Sequence, residues 1–327
     1  MNPRPFAAFL SLLLCATLPV LAQPASKAEV YPTKPVRMVV PFAPGGGTDV
    51  VGRIIAQRLT EVWPYPIVVD NRPGAGSTVG TALTARAVPD GYTIGAISMS
   101  LAINTSLYRS LPYHPIKDFT HIGMLARAPN ILVVHLSVPA RSVKELVALA
   151  KAKPGQLNFS SSGIGGTSHL SGEVFSNVTG INIVHIPYKG AGPAMTALLS
   201  GEAQIMIATA PVALAQMKAN RVRALGVSSR QRTALAPALP TIGESGFPGV
   251  ETDTWYGVIA PAGTPNAIVM RINSDIARVL KQPEVKALFE QQGAEPDPGT
   301  PQEFKAFIES EVIRWEKIIK AAKIEQQ

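Results

Sequence analysis

Cysteine is almost missing from this 327-residue chain, and the single one, Cys15, lies in an N-terminal apolar stretch. Disulfide bonding and thiol chemistry are therefore excluded as supports for the rest of the molecule. Aromatic residues are sparse at 6% and charged residues at 16%. The five histidines, at 114, 121, 135, 169 and 185, have no zinc-ligand or triad spacing. No GxSxG elbow, HExxH helix or P-loop occurs, so nothing in the sequence supports hydrolysis, resident metal or nucleotide chemistry. We expect no catalytic residues, no metal and no cofactor. Basic residues exceed acidic ones, for a formal charge of +8, but they are spread singly or in pairs such as Arg221/Arg223. That spread speaks against a nucleic-acid stripe and is compatible with small anionic partners.

Long apolar runs are also scarce. Phe6 to Ala22 is uncharged and follows Arg4, and Val20-Leu21-Ala22 fits a cleavage site. The run is short for a membrane span, so residues 1–22 read as a secretory signal peptide. Leu14 before Cys15 is a poor fit for a lipidation site. The expected product is a soluble exported protein, monomeric by default. Roughly 300 remaining residues are enough for two lobes.

What is abundant is glycine and proline, 27 and 29 residues, gathered at the ends of short β-branched runs. Strands are expected at 36–42, 66–70, 92–98, 131–135, 157–160, 183–187, 205–209, 222–227 and 255–260. Helices are expected at 48–62, 77–88, 142–152, 167–179, 192–200, 211–219, 265–281, 283–292 and 301–322. This alternation predicts an α/β fold. Ser142 with Glu145 has capping-box spacing, Pro301 suits a first helical turn, and Thr48 or Ser77 can cap after glycine turns. Phe304, Phe307, Ile308, Val312, Trp315 and Ile319 form one helix face, with Trp315 as core. The chain should cross between two sheets near 120–130 and return near 248–262. That places lobe 1 at 30–125 plus 255–327 and lobe 2 at 126–254.

The segments most suited to holding a ligand are strand-to-helix turns. PFAPGGGTD (41–49) leaves bare backbone N–H groups at a positive helix end, where an anion can approach. Thr48 and Asp49 either cap that helix or turn into a cleft. LNFSSSGIGGTSHL (157–170) repeats the construction. DNRPGAGSTVG (70–80) adds a third glycine turn, whose Arg72 either binds a carboxylate or braces the loop through Asp70 or Asp49. Ser98 ends another strand, and Tyr188 and Thr209 close IPYKGAGPAM and IMIATAP. His169 either donates to a ligand or ties its loop to the next strand.

Taken in order, YPTKPVRMVVPFAPGGGTDVVGR, VVDNRPGAGSTVGT, VPDGYTIG, FSSSGIGGTSHLSGEVF, IPYKGAGPA and WYGVIAPAGTP resemble the Bug family. These are periplasmic solute-binding proteins of tripartite tricarboxylate transporters. The resemblance implies a two-lobe periplasmic-binding-protein (Venus flytrap) fold with two crossing strands. It further implies capture of a small organic anion for membrane permease subunits: a dicarboxylate, tricarboxylate, acidic amino acid or aromatic acid. Carried onto this chain, one loop contributes Phe42, Ala43, Gly46, Thr48 and Asp49 to a carboxylate pinch. The other contributes Ser162, Gly163, Thr167 and His169, with Ser98, Tyr188 and Thr209 secondary. The alternatives are a ligand-loaded sensor docking on a membrane kinase and, at greater distance, an exported serine hydrolase.

Overall fold

Short strands, most of them buried on both faces, form two separate sheets. The computed structural model describes Met1, residues 31–321 and residues 324–327. The signal-peptide reading of residues 1–22 therefore falls almost wholly outside the described residues.

The first sheet joins β1 (Val36–Val40), β2 (Ile67–Asn71), β3 (Thr93–Ser98) and β4 (Phe119–Ala128). The second holds β5 (Asn130–Val134), β6 (Asn158–Ser161), β7 (Val184–Pro187), β8 (Ile205–Thr209) and β9 (Arg223–Val227). β10 (Thr254–Pro261) and the short β11 (Glu295–Pro296) return to the first sheet. The strand orders are β11-β4-β10-β3-β1-β2 and β7-β6-β8-β5-β9. Parallel pairs β1–β2, β1–β3, β6–β7 and β6–β8 carry the helical crossovers, while β10 runs antiparallel to β3 and β4.

Period-2 packing buries both faces of each sheet. In β1, Val36, Met38 and Val40 face a core shared with helices Gly47–Val62 and Asn266–Leu280. Ile97, Trp255 and Ile259 face the opposite core, closed by helix Pro301–Ala321 through Phe304, Ile308, Trp315 and Ile319. In the second sheet Leu132, Val134, Ile205 and Ile207 point one way. Ile131, Val133, Met206 and Ala208 point the other.

The chain passes from the first sheet to the second through Pro129 alone, and returns between Val227 and Thr254. Asn130, fully buried, stitches the two passages together: its Nδ2 donates to the Thr252 carbonyl, and its own carbonyl accepts from Ser228 N–H at 2.9 Å. A pair of passages side by side is the geometry of a hinge.

All nine expected strands and all nine expected helices lie at or within a few residues of observed ones. β4, β11 and helix Ser100–Leu107 were not expected. FTHIGMLARA does not alternate because both faces of β4 are buried, and SLAINTSL is short and has little polar face. The capping box at Ser142 forms, with Glu145 N–H donating to Ser142 Oγ at 3.2 Å and Arg141 N–H to Glu145 Oε2 at 2.7 Å. Thr48 is not a cap. Its helix begins after Gly46, with no side chain capping the first turn, and Ser77 stands at an N-cap without making the bond.

Candidate functional site

Four helices that begin at the C-terminal ends of strands place a first-turn or N-cap residue in the lining of one pocket: Gly47–Val62, Thr167–Thr179, Ala191–Ser200 and Ala210–Lys218. None carries a side-chain cap bond at its N-terminus. First-turn N–H groups have no partner within their own helix, so each end presents positive partial charge.

The pocket's cavity volume is about 30 Å³. Hydroxyls line it: Thr48 and Ser98, Tyr256 and Thr254 from the first sheet's side; Ser162, Thr167, Ser168 and Thr209 from the second's. Phe42, Ala191, Gly46 and Gly47 complete the wall, and no charged residue is among the lining groups. Thr167 Oγ1 lies 3.4 Å from Thr254 Oγ1, so the two sheets' contributions meet across the pocket. Ser168 Oγ accepts from Ser162 N–H at 2.7 Å and donates to Ser162 Oγ at 3.0 Å, which fixes that loop.

Two of these hydroxyls stand out. The oxygens of Tyr256 and Thr209 are buried, face each other, and make no hydrogen bond of ordinary length to the protein. Both sit against the backbone of Gly47, where an added Cβ would lie 2.2 Å from the tyrosine oxygen and 2.9 Å from Thr209 Oγ1. Glycine is required at that position by space. Burial pushes the Tyr256 hydroxyl's pKa up, so it remains an O–H donor at neutral pH. A buried hydroxyl without a partner is costly, and a ligand oxygen would relieve that cost.

Of the residues expected at the site, Phe42, Gly46, Thr48, Ser98, Ser162, Thr167 and Thr209 line the pocket. Asp49 does not; it braces the loop from behind. Its carboxylate accepts from Gly45 N–H at 3.0 Å, Asn71 Nδ2 at 2.8 Å and Arg53 Nε at 3.0 Å. Burial works to raise its pKa, but the hydrogen bonds from Arg53, Gly45 and Asn71 outweigh it and hold the carboxyl below its ordinary value. Ala43 and Gly163 also stand behind the lining. Ala43 N–H donates to the Lys189 carbonyl at 3.1 Å, linking loops of the two sheets.

His169 and Tyr188 are placed elsewhere. His169 Nδ1 accepts from Gly165 N–H at 3.3 Å, and its ring stacks on His185 of β7, so it ties loop to strand. Tyr188 lines a surface recess with Pro44 and Gly192, because its side chain packs outward beside the helix Ala191–Ser200. Arg72 likewise braces, with Nε 3.0 Å from Asp70. Gly47 and Ser168, which belong to the two glycine turns, also line the pocket, whereas Ala191, Thr254 and Tyr256 were not singled out from sequence. The alternation of Thr254 and Tyr256 on one strand is a signal that could have found them.

A two-sheet α/β molecule whose hydroxyl-lined, cation-free pocket lies among converging helix N-termini has the two-lobe architecture of periplasmic binding proteins. Comparison with known proteins assigns it within that class. Residues 51–324 match the model of the tripartite tricarboxylate transporter family receptor, and the chain belongs to this family. It is 38% identical over 302 residues to Protein BugT of Bordetella pertussis, covering 92% of each chain. A protein of R. palustris, solved with adipate, shares 38% identity with a TM-score of 0.88, covering 91% of this chain and 100% of that one. MatC from Rhodopseudomonas palustris, solved with bound malate, shares 30% identity with a TM-score of 0.85, covering 88% and 100%.

Proposed function

We propose that this chain captures a small organic acid in the periplasm, closing its two lobes around the ligand's carboxylate for delivery to membrane permease subunits. The lobes in this reading are residues 30–125 with 255–327, and 126–254. The carrying observation is the pocket itself, in which helix ends and hydroxyls supply donors from both sheets without any formal positive charge. A carboxylate loses its water there and needs several donors per oxygen in return. Backbone amides of the first turns at Gly47 and Thr167 are suited to supply them, with Tyr256 and Thr209 adding O–H donors. Two relatives, one solved with adipate and one with bound malate, support a carboxylate class. No bond chemistry is needed: binding stabilises the closed form over the open one by its differential affinity.

The test is a thermal-shift screen of refolded, ligand-stripped protein against dicarboxylates, tricarboxylates, acidic amino acids and aromatic acids. A ligand at about 100 times its Kd adds about 2.7 kcal/mol of stability. For a chain of this size that is a rise of roughly 5–10 °C. A panel with no shift at millimolar concentrations would remove organic acids as the ligand class.

A further inference from the structure

A second cavity shares no lining residue with the central pocket and is bordered by His169, Glu173 and His185. His169 and Glu173 are four residues apart on helix Thr167–Thr179, and therefore on one face of it. His185 comes from β7. His169 Nε2 is 3.7 Å from Glu173 Oε1, and one donor atom from each of the three residues lies within 4.8 Å of the others. We propose that these three side chains form a binding site for a divalent cation of the zinc class, with water from the cavity completing the coordination.

The donor chemistry fits. Two imidazoles and one carboxylate make a set that borderline cations such as Zn²⁺, Co²⁺ and Ni²⁺ prefer over Mg²⁺ or Ca²⁺. Both rings are neutral at pH 7 and keep a lone pair. Burial and the neighbouring His185 push His169 down to about 3, and burial pushes His185 down to about 4. Burial also raises the Glu173 carboxyl, and the neighbouring His169, being neutral, gives it no ion pair. A cation would supply the positive charge that this half-buried carboxylate faces nowhere else in the cluster.

Loading the site requires a local rearrangement. The rings now stack with centroids 4.2 Å apart at 28°, so one ion cannot lie in both ring planes at a bonding distance of about 2.0–2.1 Å. The partly exposed His185 ring must turn, exchanging its 2.6 Å contact with Ser161 Oγ for the metal. Coordination through His169 Nε2 places that ring's proton on Nδ1, where it displaces the Gly165 N–H. One hydrogen bond between β6 and β7 and one in the 163–169 turn are given up, which lowers the expected affinity to the order of micromolar.

The experiment is calorimetric titration of tag-free protein with zinc chloride at pH 7.5, repeated with cobalt(II) followed by its visible absorption. The expected result is one saturable equivalent and the intense absorption of tetrahedral cobalt. Glu173→Gln and His185→Ala should each weaken binding at least about tenfold. His135→Ala, a histidine bonded to Ser137 and outside the cluster, should bind as the parent does. Metal-free melting curves check that each variant folds; should His185→Ala fail, the near-isosteric Glu173→Gln decides. No saturable binding in the parent, unchanged affinity in Glu173→Gln, or equal loss in His135→Ala would each overturn the site. The proposal stands or falls independently of whether the central pocket takes carboxylates.

Discussion

Tyr256 and Thr209 carry the sharpest consequence at the scale of single residues, because their hydroxyls are buried without a protein hydrogen bond of ordinary length. Tyr256→Phe removes a group that costs stability when empty and binds when filled. The substitution should leave the ligand-free melting temperature unchanged or slightly raised. It should weaken a carboxylate ligand by about 1.5–3 kcal/mol, or roughly 10–150-fold, as expected for one hydrogen bond to a charged group. Calorimetry and melting on the same preparation read both signs, and a destabilised protein with unchanged affinity would refute the assignment. Asp49 predicts the opposite pattern. Its carboxylate holds the 42–49 loop through Gly45, Asn71 and Arg53, so Asp49→Asn should cost about 1–3 kcal/mol of stability at neutral pH. Because the folded-state pKa lies below the unfolded value, this contribution is complete above the unfolded pKa near 3.9 and fades as pH falls through the folded value. Urea unfolding near neutral pH and near pH 3 should show the gap between parent and variant narrowing in acid.

At the scale of elements, the helices that reach the pocket start without side-chain caps, in contrast to two helices away from it. Helix Val143–Ala152 is capped by Ser142, and helix Pro301–Ala321 by a reciprocal pair in which Glu303 N–H donates to Thr300 Oγ1 at 3.2 Å and Thr300 N–H to Glu303 Oε2 at 2.8 Å. Ser142→Ala should therefore cost about 1 kcal/mol without touching ligand affinity. Helices Gly47–Val62 and Thr167–Thr179 begin instead after Gly46 and Gly166, whose missing side chains leave the first-turn amides bare. That contrast was readable in the sequence, since GGGTD and GIGGTS place glycine where serine or aspartate would ordinarily cap. The helix Ser100–Leu107 was not readable, because its eight residues are largely buried and carry little amphipathic pattern. β4 was missed for a related reason: burial on both faces erases the alternation that identifies a strand.

Across the whole molecule, loops of the two sheets meet in backbone contact. Gly76, at φ 57°, lies so close to the Ile164 carbonyl that a Cβ would stand 1.6 Å from its oxygen. Tyr108 donates to the same carbonyl at 3.0 Å, and Asn104 Nδ2 donates to the Gly76 carbonyl at 3.0 Å. Gly76→Ala cannot make this contact. The prediction is a protein whose sheets fold normally but whose lobes stay apart, with a larger radius of gyration by X-ray scattering in saturating ligand and a greatly weakened affinity. A compact, tightly binding Gly76→Ala variant would show that this contact does not govern closure.

The amino-acid sequence by itself determined the α/β alternation, nearly all of the helices and strands, and the glycine turns at strand ends. Each of these is local: periodicity and backbone freedom act over a few neighbouring residues. Its motifs also carry the family, which the matches over nearly the whole chain establish. Only the tertiary structure decided which turn residues face the pocket. Asp49 and Thr48 are adjacent in a helical first turn, so they point in different directions, one into the loop's own hydrogen bonds and the other into the pocket. His169 lies two residues beyond Thr167 and so on another side of its helix, away from the pocket and against His185. Thr254 and Tyr256 reach the pocket because the chain returns to the first sheet after more than a hundred residues in the second, a long-range pairing that no local pattern encodes.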